Sequence, residues 1–492
     1  MKSSRIAVLA AAALACQGLV LVGAAPASAN PAAGAPGAHN AITDVPGIHV
    51  GQVQSDTAPY LTGTSVVYMP TMSVASVDQR GGAPATKETD LLSPLNSNPG
   101  VNAIQLGGSS MYGLSATNGI IRWLEDRGEG VRVGAGGVAP IVPAADIFDL
   151  GRGGDAKART SAEWGYLAAQ ATSAGPVRQG GVGGGTGARG GGMRGGVGTA
   201  SVHLGDGIYV GAMVIVNPAG SPVDPADCTL YGVKYGIGNE FAGYKAPKKK
   251  ECNPSGASAA AEQPANTTIA VVATNAPLEK AAAQRMSGNS HDGMARAISP
   301  IHTLGDGDTV FAVSTGKGEA LQINDPADSR QLNAIFNAGA NTLARAIAKA
   351  VLSSESIGNT TSYCDRYPSA CKGMKQLKQW RTQGEAPTVT PETFAQASQA
   401  LAQTPVPAPV AKEKDKGKGK GAAASNGAAP ASDNSRESSR EGMVLTAGSS
   451  DGGPGAPTGA TVALLAAVVL GLGLMGRHVL GRRRLLPLSR LR

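Results

Sequence analysis

Aromatic side chains make up only 4% of this 492-residue sequence, and charged ones only 16%. No stretch that reads as folded interleaves basic residues with aromatics, which argues against a nucleic-acid partner. The formal charge of +8 does not reverse this, because much of it falls in residues 412–420 and 477–492, outside the folded region. Cysteine is scarce as well, five residues in all. No pair of them has the close spacing with nearby histidines of a structural zinc site, and no other metal site is evident. The six histidines include no recognisable Ser-His-Asp set; His291 sits in a helical pattern and His302 just before a loop, and both read as structural. Glycine is abundant, 69 residues, which points to close backbone packing and low-complexity tails. The run Gly183-Gly184-Gly185-Thr186-Gly187 lacks the Gly-Lys-Ser/Thr of a phosphate loop, so close approach to substrate or to another strand is the better account.

The length allows one large domain or two ordinary ones. Residues 1–29 have basic residues at Lys2 and Arg5, an apolar centre and Ala27-Ser28-Ala29, the layout of a secretory signal. Cys16 reads as part of its apolar core. Residues 30–40 read as an N-terminal extension, 41–353 as the main folded domain, and 354–404 as a C-terminal extension. Residues 405–458 are too polar and too simple to bury a core and read as a disordered stalk. Residues 459–476 are apolar and uncharged, long enough for a transmembrane helix, and the basic tail 477–492 would place its far end in the cytoplasm and the folded domain outside the cell. The rival is a wall-sorting signal at Ala456-Pro457-Thr458-Gly459, with Gly455 where leucine is expected. Export makes Cys228, Cys252, Cys364 and Cys371 candidates for disulfides, and proximity pairs Cys228 with Cys252 and Cys364 with Cys371.

Within the folded region, strands are expected at 41–51, 64–69, 102–106, 200–204, 208–217 and 309–313. Helices are expected at 112–127, with Leu114, Ile121 and Leu124 on one face, and at 278–298. A long last helix carries the stripe Leu332, Ile335, Phe336, Leu343, Ile347 and Val351. Alternating strands and helices make an α/β fold. The glycine turn Gly107-Gly108-Ser109-Ser110 between strand and helix is either an anion or carbonyl site or an ordinary connection.

The stretch that organises the rest is Ala265-Asn266-Thr267-Thr268-Ile269-Ala270-Val271-Val272-Ala273-Thr274. A run of small loop formers changes there into an apolar strand headed by threonine, and the polar connector before it, residues 251–265, reads as exposed. Cleavage of the Asn266–Thr267 bond would make Thr267 an N-terminus whose α-amine, with a pKa near ~8, is a general base for its own hydroxyl.

Around this stretch stand Ile42-Thr43-Asp44-Val45-Pro46-Gly47, Arg80-Gly81-Gly82-Ala83-Pro84, Val142-Pro143-Ala144-Ala145-Asp146-Ile147-Phe148-Asp149-Leu150 and His291-Asp292-Gly293-Met294-Ala295-Arg296. In this order the blocks resemble the P1 (DmpA-like) family of self-processing peptidases, peptidase family S58, whose members include aminopeptidases and 6-aminohexanoate-oligomer hydrolases. The resemblance implies a four-layer αββα sandwich of the N-terminal-nucleophile hydrolase type. It also implies hydrolysis of peptide or peptide-like amides through an ester on Thr267. Asp306 and Asp308 would orient and polarise Thr267, and Asn217 would donate to the oxyanion. Arg194 stands where relatives carry lysine, so it keeps the charge but not a proton-shuttling role. Phe148 stands where some relatives have tyrosine, and Tyr112 is a nearby substitute; both are candidate substrate contacts. No cofactor or metal is implied. The partners would be a small amide or peptide substrate, the chain's own cleaved fragment in an αβ heterodimer, further copies in a homo-oligomer, and the membrane. Two alternatives stand: an endo-amidase of the 6-aminohexanoate type, and an inactive surface binding module, suggested by Arg194 and Phe148.

Overall fold

The computed structural model describes residues 31–134, 136–252 and 266–403. The expected signal segment, nearly all of the connector before Asn266, the stalk, the apolar segment and the basic tail lie outside these residues. Among the described residues no helix is long and apolar enough to cross a membrane.

Nine strands build the scaffold: β1 (His49–Ser55), β2 (Thr62–Gln79), β3 (Thr86–Lys87), β4 (Val101–Gly107), β5 (Ala144–Asp146), β6 (Gly196–Gly205), β7 (Ile208–Asn217), β8 (Thr267–Thr274) and β9 (Thr309–Ser314). They are hydrogen-bonded in the order β6-β7-β8-β9-β2-β4-β5-β3, with β1 also on β2. Strand β2 belongs to both layers. Its first part pairs with β1 and β4, and its last six residues pair with β9. The register breaks between Tyr68 and Ser73, at Pro70, which has no N–H for a ladder and is exposed where the strand changes layer. The sequence pattern anticipated only residues 64–69 of this strand.

Side-chain alternation along the strands creates three cores. From β8, Ile269, Val271 and Ala273 point between the two sheet layers, where they meet Val67, Ile104, Leu106, Ile215 and Phe311. Ala270 and Val272 point the other way, against α3 (Lys280–Ala297) and α4 (Ser329–Ser353) through Met286, Leu343 and Ile347. On the far side, Val53, Val66 and Tyr68 pack on Ile120 and Leu124 of α1 (Thr117–Glu125) and on Trp164 and Ala168 of α2 (Ala162–Gln170). The result is the expected αββα sandwich. Strand β8, covered on both faces, is buried along all eight residues, which is why it reads as a continuous apolar run rather than an alternating one. Helices α1 and α2 cross through glycine: a Cβ at Gly119 or at Gly165 would stand 1.8 Å from a carbonyl oxygen of the other helix segment, Ala162 O or Ala116 O.

Several local expectations change. Residues 41–51 are not one strand: Ile42–Asp44 form a 3-10 turn, and the strand begins at His49. The expected helix 112–127 starts as a 3-10 segment (Ser110–Ala116), and its buried face is carried by Ile120 and Leu124, with Leu114 and Ile121 only partly covered. The glycine turn before it does hold an anion, and the anion is the protein's own: Ser109 N donates to Asp149 Oδ1 at 2.6 Å. In the glycine-rich run, Gly183 N and Gly184 N donate to Gln54 Oε1 and Ser65 Oγ at 2.9 and 3.1 Å, so those amides serve strand packing. Residues beyond 353 share the main core through Tyr363, Tyr367 and Trp380. Disulfides join Cys228 to Cys252 and Cys364 to Cys371, with Cα–Cα distances of 5.6 and 5.5 Å.

Candidate active site

Strand order brings the candidate residues to one end of the sheet. Thr267 opens β8, and its partner across the antiparallel ladder is Asn217, the last residue of β7. On the other side β9 runs parallel to β8, with Thr309 opposite Ile269, so the turn Asp306-Gly307-Asp308 lies beside Asn266 and Thr267. Asn266 extends β8 backward as an isolated parallel bridge to Asp306, its N–H donating to Gly305 O at 3.0 Å.

The peptide bond ahead of Thr267 is gripped closely. Thr267 is 4% exposed, and its Oγ1 donates to Asn266 O. The same carbonyl oxygen accepts from Gly307 N at 3.0 Å. A side-chain hydroxyl and a backbone N–H thus meet on one carbonyl oxygen, and such donors can stabilise negative charge developing on that oxygen. Gly307 has no left-handed φ to explain it. Its requirement is space: a Cβ there would lie 2.9 Å from Thr267 Oγ1 and 2.7 Å from Ala83 O.

The two aspartates divide the remaining work. Asp308 Oδ1 accepts from Thr268 N at 2.6 Å, and its Oδ2 accepts from His302 N at 3.0 Å and pairs with His302 Nδ1 at 2.8 Å. Burial pushes the Asp308 carboxyl above its ordinary value, and Asp306 adds to the rise, against the bonds from His302 and Thr268. Asp306 is fully buried. Its Oδ1 accepts from Ala219 N at 2.9 Å, and its Oδ2 from Thr303 N and Oγ1 at 3.0 and 2.7 Å. Asp306 therefore ties the loop after β7 to the turn before β9 and fixes the direction of the Gly307 N–H.

His302 is joined to Asp308, a link beyond the structural role its sequence context suggested. It adopts a left-handed backbone, φ 60°, and its ring meets that of His291 edge-on at 4.8 Å. His291 Nε2 contacts Asp78 O at 2.9 Å, and burial holds its pKa down to about 4, so it stays neutral above that range.

Asn217 is fully buried and firmly oriented. Its Oδ1 accepts from Arg152 Nη1 at 2.5 Å and Arg189 N at 2.9 Å, and its Nδ2 donates to Phe148 O at 3.3 Å. Phe148 thus takes part through its carbonyl. Arg194 is 2% exposed, with Nη2 donating to Thr186 O at 2.7 Å. Burial lowers its pKa to about 10, which leaves it cationic at neutral pH. Tyr112 stands apart: it is 46% exposed, lies under the Arg159 guanidinium at 3.4 Å, and joins none of the hydrogen bonds around Thr267. Sequence reading missed Gly307, His302, Arg152 and Arg189 at this site. Of these only Gly307 carries a local signal, since a glycine between two aspartates is a common turn composition.

The model of peptidase family S58 matches residues 40–363. An uncharacterized aminopeptidase of Mycobacterium leprae is 44% identical over 349 residues, 67% of this chain and 95% of the relative. A 6-aminohexanoate-oligomer endohydrolase of a Kocuria species is 31% identical over 287 residues, 55% of this chain and 74% of the relative. Among solved structures, an L-aminopeptidase D-Ala-esterase/amidase of Ochrobactrum anthropi, described as a variant of the Ntn hydrolase fold, superimposes with a TM-score of 0.51 at 20% identity, covering 70% of this chain and 96% of the other. A β-aminopeptidase of a Burkholderia species does so with a TM-score of 0.50 at 23% identity, over 69% and 95%.

Proposed function

The chain belongs to peptidase family S58 and is a hydrolase, and from that premise we propose that it is a self-cleaving enzyme with Thr267 as nucleophile, acting on peptide or peptide-like amides. The observation that carries this reading is the double grip on the Asn266 carbonyl by Thr267 Oγ1 and Gly307 N. In maturation, Oγ1 attacks the Asn266 carbonyl carbon and the oxyanion rests on the Gly307 N–H. The C–N bond breaks as the Thr267 nitrogen takes up a proton, leaving an ester between Asn266 and Thr267. Water then opens the ester, giving an Asn266 carboxylate and restoring the Thr267 hydroxyl beside the α-amine already freed.

In turnover the α-amine accepts the hydroxyl proton as Oγ1 attacks the substrate amide. The proton passes to the departing amine, and water releases the acyl group from Thr267. Asp308, bonded to Thr268 N, holds the head of β8 beside the new ammonium, and His302 holds Asp308. Asp306 acts indirectly, as a positioning residue for the Gly307 turn. We further propose that the chain is exported and anchored at the cell surface through residues 459–476. The two disulfides support an oxidising compartment.

The test is acyl-enzyme trapping. Matured protein mixed with an activated ester and quenched in acid should show one acyl adduct, on the threonine at the head of the C-terminal fragment, and Thr267→Ala should show none. An adduct on any other residue would refute the assignment of the nucleophile.

A further inference from the structure

Three arginines converge next to Asn217. Arg189 and Arg194 are directly opposed in the two-stranded ribbon of Arg189–Gly190 and Met193–Arg194. Arg152 Nη1 and Arg194 Nη2 grip the consecutive carbonyls of Gly187 and Thr186, each at 2.7 Å. Arg152 and the Arg189 backbone also meet on Asn217 Oδ1, the residue paired with Thr267. Glycine makes this crowding possible: a Cβ at Gly181 would stand 2.4 Å from Arg194 Nη2.

The cluster is electrostatically incomplete. Like charges opposed across a ribbon repel, and among the described residues none of the three arginines forms a salt bridge. Asp149, whose carboxyl burial pushes up to about 6 and which is still mostly ionised at neutral pH, offsets Arg152 alone; no acidic group bears on Arg189 or Arg194 among the described residues. Arg194 Nε and Nη1 and Arg189 Nε are buried donors without an acceptor among the described residues. Burial lowers the pKa of all three arginines, and mutual repulsion adds to the effect on Arg152 and Arg194. Buried cations with free donors are costly unless an anion completes them.

We propose that Arg152, Arg189 and Arg194 form a subsite for a substrate carboxylate, so that the enzyme prefers amides carrying a carboxylate near the scissile bond. This rests on the reading of Thr267 as nucleophile. Arg189 is only partly buried and so the most accessible of the three, whereas Arg194 is 2% exposed. A carboxylate matches the flat guanidinium fork through paired hydrogen bonds. Peptides carry it in two places, an acidic side chain or the chain terminus.

Two matched pairs of substrates separate these sources: L-glutamyl against L-glutaminyl 4-nitroanilide, and alanyl-alanine against alanyl-alaninamide. The matured enzyme should favour the carboxylate member of one pair by about tenfold or more in kcat/KM, and Arg189→Gln should bring that ratio close to one. Ratios near one in both pairs for the unaltered enzyme, or a ratio indifferent to Arg189→Gln, would overturn the proposal. Calorimetric binding of glutarate to full-length Thr267→Ala protein needs no turnover. Glutarate should bind, glutaramide should not, and Arg189→Gln should abolish the difference. Glutarate binding without hydrolysis of any substrate would leave the subsite standing and sink the hydrolase reading. Hydrolysis with neither glutarate binding nor carboxylate preference would sink the subsite alone.

Discussion

Replacing Gly307 with alanine tests the self-cleavage geometry at its tightest point. The new Cβ would lie 2.9 Å from Thr267 Oγ1, 2.7 Å from Ala83 O and 2.9 Å from Pro84 Cα, each well inside van der Waals contact. Relief requires the turn to withdraw by roughly half an ångström, yet Asp306 and Asp308 anchor it on both sides. The bond from Gly307 N to Asn266 O, now 3.0 Å, would stretch to about 3.5 Å, beyond useful range. Loss of one oxyanion donor costs on the order of 10²–10³ in rate, and overpacking costs about 1–3 kcal/mol of stability. Pulse-labelled precursor followed on denaturing gels should therefore mature about a hundredfold or more slowly in Gly307→Ala. Gly137→Ala is the control. That residue lies in an exposed ribbon where the nearest described atom to a new Cβ is Val133 Cγ2 at 3.6 Å, so maturation should be unchanged. If Gly307→Ala matured at the normal rate while urea unfolding showed a native-like fold, the Gly307 N–H would not be the oxyanion donor.

The Asp308–His302 link predicts that Asp308→Asn slows maturation or turnover by about 10²–10⁴-fold. His302→Asn, whose Nδ2 can replace Nδ1 as donor, should retain far more activity than His302→Ala; equal losses would show that the bond to Asp308 is not what matters. Lys349 is fully buried, donates to Asn40 O at 2.9 Å, and has its pKa lowered by burial to about 7. Between that value and the ordinary lysine range the unfolded chain holds more protons than the folded one. Stability should therefore rise with pH there, by up to about 1.4 kcal/mol per unit, and Lys349→Met should flatten the rise seen in urea titrations at pH 7.5 and 9.5; parallel slopes would contradict this. Both disulfides close loops on one side of the Asn266–Thr267 bond, so matured fragments should separate on denaturing gels without reductant. They should stay together in native extracts through the core that β7 and β8 share; fragments that part only after thiol treatment would reveal a bridging bond.

Much of the fold was legible because β8 and α4 are extreme cases: one a fully buried strand, the other a long helix with an unbroken apolar stripe. The layering came from the family resemblance, since periodicity alone cannot say that β2 passes from one sheet to the other at Pro70. At the candidate site, local pattern and resemblance together pointed to Thr267 and Asp308, and the fold brings the Asp308 carboxylate to the Thr268 N–H beside Thr267. Gly307 was not, because its requirement is the Thr267 hydroxyl forty residues away in sequence, not its own φ. His302 lies six residues before Asp308, and only the turn that folds back between them makes it a partner. Arg152 and Arg189 escaped notice for the same reason. Arg152 comes from a different loop than Arg189 and Arg194, and the strand end at Asn217 is what brings them together.

The central claim is that the Asn266–Thr267 bond is cut by Thr267 itself. Intact mass measurement with N-terminal sequencing of active, purified protein tests it most directly. The account predicts two chains, the second beginning Thr267-Thr268-Ile269, and a single uncut, inactive chain for Thr267→Ala. Active protein with an unbroken Asn266–Thr267 bond, or Thr267→Ala protein cut at the same place, would contradict it.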